Sequence, residues 1–166
     1  MGKIPEKLNE TCALLAQKFE GKQHAIRGTA SLALQGLDFN AADIDIICDE
    51  ETAMFANEAL REFVADEVKY SESPKFKSFF GKFEINGIEV EIMGNWQIRS
   101  SKGEWSKVYD GSDKASVDVD GVEVFATTPE EELEMFMFME RWNAYHKLKK
   151  LIELQNSNQL ELFNLA

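Results

Sequence analysis

The sequence predicts an α/β (α+β) fold, a sheet assembled from short strands and two hairpins and packed with helices. Three observations carry this. Leu8, Cys12, Leu15, Ala16 and Phe19 recur at helical spacing before Gly21. Asp43–Cys48 alternates acid and aliphatic and then turns wholly apolar, as a strand does when it runs from solvent into a core. Asn86-Gly87 and Asp120-Gly121 each sit between alternating apolar residues, the strongest short-range signal for a two-residue hairpin turn.

In chain order, Pro5 suits a first helical turn, and Gly21 ends that helix. Residues 23–27 read as a strand opened by His24, a structural histidine. Gly28 breaks the strand, Ala30 to Gln35 is helical, and Gly36 stops it. Asp49 caps a helix expected to reach Asp66, with Phe55, Ala59 and Phe63 inward. Val68–Ser71 reads as a short strand, and 71–78 as a polar loop. In the first hairpin the turn predicts Ile85 opposite Ile88, Phe83 opposite Val90 and Lys82 opposite Glu91. Residues 94–115, with Trp96 and Trp105, read as a long irregular segment. Val117–Phe125 forms the second hairpin. Thr127 or Thr128 then caps one helix with Pro129 at its first position, running to about Glu153. The expected organisation is a domain over 1–128, a helix over 129–156 packed on it, and a tail over 157–166 that frays or docks.

Composition narrows the function. Acidic residues outnumber basic ones 30 to 18, a net charge of -12, which repels phosphate backbones and argues against nucleic acid as a partner. Cys12 and Cys48 are too few for a zinc site or a disulfide framework and read as reduced core residues. No run approaches the roughly 20 apolar residues of a membrane span, and no signal-peptide core is visible, so the expected location is cytoplasmic.

Two stretches carry chemistry. Residues two apart on a strand share a face, roughly 6.6–6.8 Å apart at Cα, so Asp43 and Asp45 present two carboxylates together. A hard divalent cation relieves their repulsion. An acid on the second strand of the first hairpin, Glu89 or Glu91, would complete a site for two ions. Gly28 lets a phosphate approach the backbone, and Thr29 and Ser31 add hydroxyl donors at the start of a helix. Each motif is common by itself; Asp118-Val119-Asp120 repeats the acid spacing on a mere hairpin face. Their order along the chain is the informative feature.

Gly28-Thr29, thirteen residues, and then Asp43-Ile44-Asp45-Ile46 resembles the signature of the DNA polymerase β-type nucleotidyltransferase superfamily. The small prokaryotic members, near the minimal and antibiotic-modifying enzymes, are the most similar group. Ile85–Gly94 looks like their third-carboxylate strand. The resemblance implies a mixed sheet with helices on one face and an open metal and nucleotide cleft. It implies Mg²⁺-dependent transfer of a nucleoside monophosphate from a nucleoside triphosphate to an acceptor hydroxyl, on a small molecule or a protein. By position, Asp43, Asp45 and Glu91 would be catalytic and hold two Mg²⁺ ions, with Glu89 as the alternative third acid. Gly28, Thr29 and Ser31 would hold the triphosphate. Relatives often carry Lys three residues before an Arg on the last helix; here Phe138 precedes Arg141. That departure keeps a second reading in view: a toxin–antitoxin-type component, or an inactive nucleotide-binding module, acting through a helical protein partner at the Met/Phe-rich last helix.

Overall fold

A computed structural model of the chain describes residues 4–165, the side chains of 160–165 excepted. The elements are α1 (Glu6–Lys18), β1 (His24–Arg27), α2 (Gly28–Leu34), β2 (Ile44–Cys48), α3 (Glu50–Ala59), a 3₁₀ turn (Arg61–Phe63), β3 (Val64–Glu72), β4 (Phe76–Ile85), β5 (Ile88–Ile98), β6 (Lys114–Val119), β7 (Val122–Thr127), α4 (Pro129–Phe138) and α5 (Trp142–Leu165). The strands form one sheet in the order β3-β4-β5-β2-β1-β7-β6. It is mixed: β2 runs parallel to β5 and β1 parallel to β7, and the remaining pairs are antiparallel.

The pleat sorts the central strands. Ile26, Ile44, Ile46, Cys48, Phe83, Val90 and Ile92 join Leu8, Cys12 and Leu15 of α1 and Ala53 and Ala56 of α3 in one core. The opposite face carries Ala25, Ile47 and Met93, covered in part by Trp96, Tyr109 and Met135 of α4. That face also carries the charged residues of β1, β2 and β5. Gly94 lets α3 lie directly on β5, since a Cβ there would fall 2.5 Å from that of Ala53. Cys12 and Cys48 are free and buried, and burial pushes the Cys12 thiol up to about 12. His24 is buried, with Nδ1 2.8 Å from the Lys22 carbonyl.

The first hairpin adopts the expected register, with Ile85 facing Ile88, Phe83 facing Val90 and Lys82 facing Glu91. The Asp49 side chain accepts from the Thr52 amide at 2.8 Å, and Thr128 caps α4 by accepting from the Glu131 amide. Other expectations need correction. The helix after Asp49 stops at Ala59, and the short strand expected over Val68–Ser71 is present but longer, running from Val64 to Glu72 where helix and loop were expected at its two ends. The Asn57 side chain caps both the amide and the carbonyl of Val68, at 2.7 and 3.0 Å, tying β3 to α3. Residues 94–109 are not irregular throughout: β5 continues to Ile98, and the chain folds back so that Trp96 and Tyr109 exchange backbone hydrogen bonds at 3.0 and 2.8 Å.

The expected single helix over 129–153 is two helices. Glu140 takes φ +58, its amide donates to the Met137 carbonyl, and the Arg141 amide donates to Phe136. This is the Schellman stop, which glycine usually makes. With glutamate there, the sequence shows no stop. Replacing a strained left-handed residue with glycine relieves roughly 1 kcal/mol, so Glu140→Gly is expected to raise the melting temperature by about 2–4 °C. A fall, measured by calorimetry, would show that the Glu140 side chain has a stabilising contact of its own.

Met135 and Phe136 of α4 are fully buried in this chain's own cores, leaving Met137 as the exposed apolar residue of that helix. The backbone of 157–165 continues α5 rather than leaving it as a tail. Docking by side chains of 160–166 lies outside the described residues. Among the described residues, no helix is long and apolar enough to cross a membrane.

Candidate active site

Strand pairing sets the site. In the β1–β2 register Arg27 faces Asp45, and in the β2–β5 register Asp45 faces Glu91. Three charged side chains therefore stand side by side on the less covered face of the sheet. Asp43 is exposed, just before β2 begins. Glu89 is exposed too, two residues from Glu91 toward the hairpin tip and opposite Glu84.

Asp45 and Glu91 are each about a quarter exposed. Burial holds the Asp45 carboxyl above its ordinary range; Arg27 opposes this, and the charge of Asp43 reinforces it. Burial, then the charges of Asp45 and Glu89, push Glu91 from about 4.5 up to about 7, against Lys82 at 3.8 Å. The sign follows from linkage: the native state binds more protons than the unfolded chain between those values, so stability falls as pH rises through that window. Glu91→Gln is therefore expected to match the wild type near pH 5 in EDTA and to melt about 2–4 °C higher at pH 8. An equal or lower melting point at pH 8, by scanning calorimetry, would mean that the two carboxylates do not repel.

Arg27 is the residue that sequence reading passed over. It is 6% exposed, with Nη1 3.5 Å from Asp45 Oδ2 and Nη2 3.5 Å from Glu132 Oε1. Its guanidinium lies 4.7 Å over the Trp96 ring. Glu132, in the first turn of α4, is completely buried. Its Oε2 accepts from the Thr127 hydroxyl at 2.5 Å and from the Gly28 amide at 3.0 Å. Arg27 Nε and Glu132 Oε1 have no hydrogen-bond partner among the described residues. Alternation on β1 could have put Arg27 on the Asp45 face once the pairing was known. Glu132 had no such signal, because first-turn acids usually serve the helix dipole in solvent.

Gly28 needs its glycine: φ is +74, and a Cβ would sit 3.6 Å from Asp45 Oδ2. Thr29 is half-buried beside it. Ser31 lies away from the cleft. It is fully buried, donates to the Thr127 carbonyl at 2.9 Å and lies 3.1 Å from Gln35 Nε2. Phe138 packs against the core under the cleft, and the Arg141 guanidinium lies 5.6 Å over Phe136.

A cleft of about 350 Å³ opens on the acids, lined by Arg27, Asp45 and Glu91 and by residues of β3, β4 and β5. A larger hollow of about 770 Å³ lies at the other end of the molecule, between α1 and the β6–β7 hairpin, and contains none of these acids. Among the described residues no three acidic, histidine or cysteine side chains converge as an ion-holding group. The donor set is thus two paired carboxylates, Asp45 and Glu91. That suits Mg²⁺, which commonly takes one or two carboxylates and completes its shell with water and substrate phosphates.

No protein-family model matches the chain, and no curated protein does. Solved structures do. TM1012 from Thermotoga maritima, whose crystal structure carries a provisional nucleotidyltransferase assignment, is 31% identical, with a TM-score of 0.70 over 87% of this chain and 90% of that one. The lincosamide antibiotic adenylyltransferase LnuA, solved with lincomycin, shares the fold at 14% identity, with a TM-score of 0.53 over 88% of this chain and 97% of its own. The antibiotic-resistance factor ANT(2'')-Ia does so at 12% identity, with a TM-score of 0.51 over 94% of each chain. The sheet order, the glycine at the β1–α2 junction and the acids on β2 and β5 thus occur in a chain nearly one-third identical to TM1012 along most of both lengths, and this protein belongs to the nucleotidyltransferase superfamily.

Proposed function

We propose that the chain transfers a nucleoside monophosphate from a nucleoside triphosphate to a hydroxyl acceptor, with Mg²⁺ as cofactor. The observation that carries this reading is the register pairing of Asp45 with Glu91 on parallel neighbouring strands, one strand from Gly28. Asp45 and Glu91 would hold the metal, with the exposed Asp43 joining them as substrate arrives. When bound, the metal neutralises charge on the phosphates and lowers the acceptor pKa.

The rest falls to the chain's own groups. Thr29 brings a hydroxyl to the phosphate end of the site, and Gly28, its amide held by Glu132, leaves no side chain in the way there. Ser31 acts indirectly: bonded to Thr127, it fixes α2 against β7. Arg27 presents a buried cation at the junction between the phosphate end and the acids. Glu91, level with Asp45 and on its side away from Gly28, suits the role of base for the acceptor hydroxyl.

The test is a thermal-shift titration with ATP, GTP, CTP and UTP, each with Mg²⁺ and with EDTA, on the wild type and on Asp43→Asn. Saturation at about 100 times the dissociation constant adds roughly 2.7 kcal/mol, a shift of several degrees. Stabilisation that needs both metal and Asp43 is expected. No shift with any nucleotide, or one indifferent to EDTA, would overturn the reading.

A further inference from the structure

Resting on that reading, we infer that the cleft beyond Glu91 is the acceptor site and that it takes a small alcohol that is not an anion and bears a flat apolar ring. The phosphate end lies at Gly28, at the β1–α2 junction. From Asp45 the cleft runs the other way, across β5 to β4 and β3. In-line displacement puts the attacking oxygen opposite the departing pyrophosphate. The acceptor must therefore enter on the side of Asp45 away from Gly28, which is where the cleft lies.

Its walls define the occupant. Phe76 stacks on Trp96 with ring centroids 5.9 Å apart and planes 26° apart, and Phe80, Met93 and Met139 complete an apolar wall. Ser71, Ser73 and Ser78 line the same cleft and give an alcohol polar neighbours. At about 350 Å³ the space lies at the small end of ligand pockets, which span roughly 300–1,000 Å³. Charge excludes anions: Asp45 and Glu91 face the cleft, and Arg27, its cation, is already engaged by Asp45 and Glu132. The step balances. The acceptor oxygen bonds the α-phosphorus, the bond from that phosphorus to the bridging oxygen breaks, pyrophosphate leaves, and the hydroxyl proton passes to Glu91.

The experiment measures binding of 2-phenylethanol to the wild type by saturation-transfer NMR and Trp fluorescence, with sorbitol as the polyol control, before and after addition of Mg²⁺ and a non-hydrolysable ATP analogue. We expect 2-phenylethanol to bind, sorbitol to fail, and the analogue to leave the alcohol in place. Phe80→Ala should weaken the alcohol at least tenfold. Displacement of the alcohol by the analogue would make the cleft the base pocket and overturn the inference. Binding of a tyrosine-containing peptide but not of the free alcohol would also overturn it, in favour of a protein acceptor, as would binding of sorbitol alone or of nothing. Alcohol binding without any Mg²⁺-nucleotide thermal shift would sink the nucleotidyl reading instead, so the two failures are distinct.

Discussion

Asp45→Asn is expected to lower nucleotide-dependent pyrophosphate release by at least about 10²–10³-fold, the scale on which one positioned charge-stabilising group acts, while the chain stays folded. Asparagine preserves the shape and one acceptor oxygen. It removes the charge that faces both Arg27 and Glu91. Two stability effects oppose each other: Arg27 loses one of its two carboxylate neighbours, and Glu91 loses a repelling one. The melting temperature should therefore move little, within the ordinary ~1 kcal/mol of a single substitution. Release measured beside circular dichroism and calorimetry separates the two. Transfer at the wild-type rate would remove Asp45 from the site.

Arg27→Ala is expected to cost about 3–5 kcal/mol, the usual penalty for breaking a buried charge pair from one side. Glu132 would be left fully buried, with the Gly28 amide and the Thr127 hydroxyl as its remaining partners. Trp96 would lose the cation stacked 4.7 Å above it. Methionine with glutamine should restore most of this, since removing both charges of a buried pair is often close to neutral. A double-mutant cycle with Arg27→Met and Glu132→Gln, read from urea midpoints, is thus expected to give a coupling of at least about 2 kcal/mol. Additive effects would show that the two groups are held independently by the fold.

Both effects trace to one side chain. Arg27 couples the strand that carries Asp45 to a buried glutamate of α4, so the same guanidinium bears on the electrostatics of Asp45 and on the seating of α4. The unpartnered Arg27 Nε and Glu132 Oε1 mark where that network is least satisfied. They lie beside the cleft that would admit substrate.

How much was legible follows from how local each signal is. Asn86-Gly87 set the pairing of Lys82 with Glu91, because a two-residue turn leaves one register and alternation does the rest. Asp49 and Thr128 were visible as caps, since a cap is an exchange between residues three apart. The Glu140 break was invisible because its positive φ is imposed by packing on a residue with no preference for it. Of strand Val64–Glu72 only Val68–Ser71 was legible, for a related reason. As an edge it needs one buried position, Val68, and is otherwise exposed and heavily charged, so no alternation is left to read.

By itself, then, the sequence determined the glycine between β1 and α2, the acids on β2 and β5, and which residues share each face of a strand. These depend on turn chemistry and on the two-residue period of the backbone. Tertiary structure decided which acids meet. The parallel pairing of β2 with β5 brings Glu91 level with Asp45, and the return of α4 carries Glu132 across 104 positions to the Gly28 amide. Contacts between residues so far apart depend on the packing of whole elements, and that is set by the summed burial of the core rather than by any local pattern.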